Sequence, residues 1–104
     1  MDWTTDKVEM GYDYYWGDND SDGQMMAKDY DLKSPQPIMC TTPQSGDFLH
    51  MFQSGSKYYI WNLIEDDVWE IRAPLVLEDI IAGISKLGVG SLKVAPVPQV
   101  STCG

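Results

Sequence analysis

Cys40 and His50 are the residues of this 104-residue chain whose types suit covalent chemistry, His50 being its single histidine and Cys40 one of two cysteines. A catalytic thiol must be ionised and must meet its base in space, so this pair would have to converge in the fold, with Asp47 as an orienting carboxylate. His50 alternates with Phe48 and Phe52 on a predicted strand. That spacing puts the imidazole on the same side as two rings, where a satisfied, partly buried histidine is expected instead of a general base. Met10, Met25, Met26, Met39 and Met51 carry thioethers, which select Cu(I), but they form no dense cluster along the chain and are expected to serve as adaptable packing. Asp18, Asp20, Asp22 and Asp29 form the remaining set. Alternating carboxylates on a tight loop converge on one point, and a hard cation takes six to eight such oxygens.

The twelve residues Asp18-Asn19-Asp20-Ser21-Asp22-Gly23-Gln24-Met25-Met26-Ala27-Lys28-Asp29 resemble the calcium loop of EF-hand and dockerin proteins. The shared features are alternating carboxylates, a glycine for the sharp turn, an apolar residue soon after and a closing acid. The resemblance covers these twelve residues alone. It implies calcium as a ligand, carboxylates from Asp18, Asp20 and Asp22, the backbone carbonyl of Gln24, and Asp29 as the closing ligand. Read without the resemblance, the same stretch is a solvated hairpin tip in which Asp22-Gly23 makes a type I′ turn.

Charge sharpens the choice. Residues 1 to 31 hold nine carboxylates and two lysines, a sum of −7, whereas residues 32 to 104 hold seven carboxylates and five basic residues, a sum of −2. Nearly all of the net −9 therefore sits on one part of the molecule, together with six of the twelve aromatic rings. Clustered charge is costly unless it is solvated, paired with a metal or offered to a partner. Direct nucleic-acid binding is not expected, because phosphate neutralisation needs clustered Lys and Arg and the seven here are scattered. Cys40 and Cys103 form neither a disulfide framework nor a zinc site. A bridge between them is open, but Met1 to Asp6 has no basic, apolar leader character, so two free thiols in a soluble, cytoplasmic protein are expected. The apolar stretches are far shorter than the roughly 18 residues that suggest a membrane span.

The elements that must position these residues follow from periodicity. Val8, Met10, Tyr12, Tyr14 and Trp16 alternate with Glu9, Gly11, Asp13 and Tyr15, which predicts a strand over residues 7 to 16. Residues 17 to 23 are turn formers and residues 24 to 30 would return, giving a β-hairpin over 7 to 31 with an acidic tip. Pro35, Pro37, Pro43 and Gly46 make residues 32 to 46 mostly loop, with a short edge strand at Ile38 to Thr41. An open edge there would offer strand pairing to a second copy, so a homodimer is open to the chain. Strands are predicted at Asp47 to Gln53, Lys57 to Ile64 and Asp67 to Arg72, turning at Ser54-Gly55-Ser56 and Glu65-Asp66. Leu77, Ile80, Ile81, Ile84 and Leu87 fall at helical spacing after Pro74, with Glu78 and Asp79 in the first turn, Lys86 in the last and Gly88 to stop it. Ser91 to Ala95 would add a last strand.

The expected fold is α+β: a mixed, mostly antiparallel sheet, made of the N-terminal hairpin and a three-stranded meander, packed on one main C-terminal helix. Residues 1 to 95 form a single small domain and residues 96 to 104 a flexible tail. The expected function is a non-enzymatic, cofactor-free interaction module, an inhibitor, immunity-type or adaptor protein that engages a basic protein partner. Asp18, Asp20 and Asp22 would steer that partner, and Tyr14, Tyr15 and Trp16 would supply contact area. In its strongest form the module presents carboxylates where phosphates would lie and so occupies a nucleic-acid-binding channel. The alternative is calcium bound by Asp18, Asp20, Asp22 and Asp29.

Overall fold

The computed structural model describes residues 3–41 and 49–100. Six strands pair in chain order, each antiparallel to the next: β1 (Trp3–Thr4), β2 (Gln36–Thr41), β3 (Leu49–Ser54), β4 (Lys57–Asn62), β5 (Asp67–Ala73) and β6 (Lys93–Pro96). The meander β3–β4–β5 follows from its turns. Gly55 takes a left-handed φ of 63° at the first, and at the second the Asn62 side chain accepts hydrogen bonds from the N–H groups of Ile64 and Glu65. The Asp47 and Phe48 positions of the predicted strand lie outside the described residues, as does Cys103.

Both faces of the sheet are core. Met51 and Phe52 are neighbours on β3 and point to opposite sides, yet each is 0% exposed. On one side Met39, Met51, Ile60 and Ile71 pack against Ile80 and Ile84, which lie on α3 (Leu77–Leu87). This helix has the predicted range and the predicted acidic first turn, and it ends at Gly88 with φ 82°. On the other side Phe52, Tyr59, Trp61 and Val68 pack against Trp16, Met26 and Tyr30. Tyr59, Ile60 and Trp61 in the middle of β4 are therefore all buried because a helical layer covers each face, whereas Ile64 lies beyond the strand and is exposed. The class is α+β as expected, and the sheet is antiparallel throughout.

The N-terminal third differs from its expected form. No strand runs over residues 7 to 16 and no hairpin over 7 to 31. Instead a turn over residues 7–11 leads into α1 (Tyr12–Trp16), and α2 (Asp22–Asp29) follows after a short loop. Asp6 starts the change: its Oδ1 accepts hydrogen bonds from the N–H groups of Val8 at 2.9 Å and Glu9 at 3.0 Å, which folds the chain into a turn. Gly11 then takes φ 63° at the N-cap of α1, a conformation that no strand interior contains. The burial follows a helical period: Trp16 is buried and Tyr12 and Tyr15 half-buried, while Tyr14 stands out. Gly23 lets α2 cross α1 closely, since a Cβ there would lie 2.5 Å from the Tyr15 carbonyl oxygen and 2.6 Å from the Trp16 ring.

Two further details fix the edges. β1 pairs with β2 only at Thr41 and Cys40, so the predicted edge strand gains a short outer neighbour. Beyond Pro96 the Val97 N–H donates to the Val68 carbonyl and the Val100 N–H to that of Asp29, tying residues 97–100 to β5 and the end of α2. Among the described residues no helix is long and apolar enough to cross a membrane.

Candidate functional site

The α1–α2 layer gathers most of the residues singled out in the acidic segment. Asp13, Tyr14, Asp18, Asp20, Ser21 and Asp22 line one open recess of about 310 Å³. The loop between the helices bends tightly there because the Ser21 hydroxyl donates to the Asp18 carbonyl at 2.6 Å. The Gln24 side chain reaches back to donate to the Trp16 carbonyl at 3.0 Å, fastening α2 to the end of α1. Tyr14 is 73% exposed and meets Tyr15 edge-on, ring centroids 4.8 Å apart. Tyr15 in turn packs on His50 at 5.2 Å. Trp16 is 3% exposed and contacts His50, Phe52 and Trp61, so it offers no contact area to a partner. Of the six expected contact residues, Tyr14, Asp18, Asp20 and Asp22 thus share one surface, Tyr15 braces it from below and Trp16 belongs to the core.

Among the described residues the ion pairs are Lys57–Glu70 at 3.7 Å and Arg72–Glu70 at 3.2 Å. Both lie on β4 and β5, away from the recess. The carboxylates of the recess therefore have no basic side chain paired with them among the described residues.

The calcium geometry is not formed. Residues 22 to 29, which the resemblance makes a ligand loop, are the helix α2. At about 1.5 Å rise per residue, Asp29 stands roughly 10 Å along the axis from Asp22, whereas calcium ligands lie about 2.3–2.6 Å from one ion. Asp29 therefore cannot close a loop around a cation held by Asp18, Asp20 and Asp22. Among the described residues no three His, Cys, Asp or Glu side chains are placed to share a metal ion.

Cys40 and His50 do converge. They are directly paired across β2 and β3 and so project from the same face. Together with Val8, Glu9, Met10, Gly11, Tyr15 and Thr41 they line a cavity of about 140 Å³ under the turn that follows β1. Cys40 is a free, buried thiol, and burial, with a smaller push from the Glu9 carboxylate, raises it to about 11. Burial holds His50 down to about 4. At neutral pH the thiol therefore keeps its proton and the imidazole stays uncharged, the opposite of an activated thiolate–imidazolium pair. Asp47 lies outside the described residues.

Sequence reasoning missed Asp13 and Ser21 in the recess and the place of Met10 beside Cys40. One signal was present for the first two. Asp6-Lys7-Val8-Glu9 and Ser21-Asp22-Gly23-Gln24 both have the spacing of a helix-capping box; the second marks the start of α2, and the first marks the turn that ends extended chain before α1. No protein-family model, curated protein or solved structure matches the chain.

Proposed function

We propose that this protein is a small, acidic, non-enzymatic interaction module of the inhibitor, immunity or adaptor kind, engaging a basic protein surface through its α1–α2 face. The observation that carries this reading is a single exposed tyrosine standing among the carboxylates of Asp13, Asp18, Asp20 and Asp22, none of them in an ion pair among the described residues. Tyrosine suits the centre of an interface because it buries much area with few rotors. Tyr14 is further restrained by its edge-on contact with Tyr15, which lowers the ordering cost of binding. The carboxylates steer a cationic patch toward it and speed the encounter. Occlusion of that patch is the mechanism, and a partner that uses the same patch to hold phosphates would be blocked. The protonated Cys40 thiol and neutral His50 support the non-enzymatic part of the reading.

The test compares immobilised wild-type protein with Asp18→Asn/Asp20→Asn/Asp22→Asn and Tyr14→Ala forms in capture from a cell extract. Basic proteins retained by the wild type, released as salt rises and lost from both variants are the expected result. Retention of the same set by all three proteins would remove the α1–α2 face as the binding surface.

A further inference from the structure

We infer that the cavity between β2, β3 and the turn over residues 7–11 is a binding site for a soft monovalent metal ion of the Cu(I) kind, with Cys40 Sγ, His50 Nδ1 and Met10 Sδ as its ligands. The inference is independent of the α1–α2 surface and rests on three observations. Cys40 and His50 are register partners on neighbouring strands, which brings their Cβ atoms to about 4.5–5.5 Å and their side chains to one face. Met10, 3% exposed, lines the same cavity of about 140 Å³ from the covering turn. His50 is 2% exposed, and its Nδ1 is buried with no hydrogen-bond partner. A buried imidazole nitrogen without a partner is costly, and a metal ion is one group that satisfies it.

The donor set selects the ion. A thiol, a thioether and an imidazole are soft or borderline ligands, and they favour Cu(I) over magnesium or calcium. Among the described residues no three His, Cys, Asp or Glu side chains are placed to share an ion, so a hard or zinc-like set is not available and the thioether completes the group. Glu9, the carboxylate that acts on the thiol, is engaged by the Thr4 hydroxyl at 3.1 Å. The walls also suit a soft ion. Tyr15, Trp16 and Trp61 surround the imidazole with ring centroids 5.2, 5.9 and 5.3 Å away, which fixes its orientation and excludes water. Binding breaks the Sγ–H bond, releases that proton to solvent and forms an Sγ–metal bond. His50 and Met10 each donate a lone pair, and the metal keeps its +1 state.

The experiment uses the full chain carrying Cys103→Ser, which removes the one other thiol. Anaerobic titration with Cu(I) against a colorimetric Cu(I) chelator is expected to give one ion per chain, a thiolate-to-metal absorption band in the ultraviolet and one proton released per ion. Met10→Leu keeps the buried shape and should weaken binding by about tenfold or more, while Cys40→Ser should abolish the band. His50→Gln should weaken binding likewise, and circular dichroism verifies the fold of each form. No uptake by the Cys103→Ser protein overturns the proposal. So does uptake that Met10→Leu leaves at full affinity, since the thioether would then be no ligand and the three-donor site would not exist.

Discussion

Tyr14 and Trp16 are two positions apart in one aromatic run, yet they have opposite roles. The Trp16 ring meets His50, Phe52 and Trp61 and joins the α1 layer to the sheet. Trp16→Ala should therefore cost about 3–5 kcal/mol, the range for emptying a large aromatic site in a core, out of a total that is about 5–15 kcal/mol for a typical domain. Tyr14→Ala removes a ring that is mostly in water and should change stability by no more than about 0.5 kcal/mol. Urea unfolding of the two variants measures both. Equal losses would mean that Tyr14 is a core residue and no candidate for partner contact. The sequence identified this run as special, and alternation suggested that Tyr14 and Trp16 share a face. A helix turns about 100° per residue, so positions two apart face nearly opposite ways. The residue types were legible while their directions depended on the element.

Elements away from the N-terminal segment were legible because several local signals agree there. The α3 helix had apolar spacing, acids first, a lysine last and a glycine stop, and the meander had turn residues between alternating strands. Over residues 7 to 31 the signals conflict. Aromatic types favour a strand, while Asp6 opens a turn and Ser21 sits at the start of α2; the tertiary contacts of Trp16, Met26 and Tyr30 with the sheet decide for helix. That outcome bears directly on calcium. Since α2 holds Asp22 and Asp29 two turns apart, saturating calcium should leave the melting temperature where chelator leaves it, with magnesium as the control. A ligand at a hundred times its dissociation constant adds roughly 2.7 kcal/mol to a fold that it binds exclusively, enough to move a small domain by many degrees. A calcium-specific rise of that size would mean that residues 18 to 29 adopt the loop form in solution, and the helix α2 would have to be abandoned.

At the scale of the whole molecule one property governs both stability and recognition. Residues 1 to 31 carry −7 of the net −9, and the ion pairs among the described residues lie at Glu70, on the sheet. Folding gathers the acidic charges of α1, α2 and their loop around one recess, so their mutual repulsion is greater in the folded chain than in the extended one. Salt screens exposed charges over about 10 Å at 0.1 M. Raising sodium chloride should therefore increase the melting temperature of the isolated protein, while the same screening should slow and weaken its capture by a cationic partner. Opposite signs from a single cause distinguish this account from its competitors. A fold held by surface ion pairs would lose stability as salt rises, and a partner bound through apolar area would hold its affinity. The Asp18→Asn/Asp20→Asn/Asp22→Asn form gives the internal check: with three charges removed it should melt higher than the wild type at low salt, and the difference should shrink as salt is added. A variant that melts lower at every salt concentration would show that these carboxylates stabilise the loop between α1 and α2 and are not held there against their own repulsion.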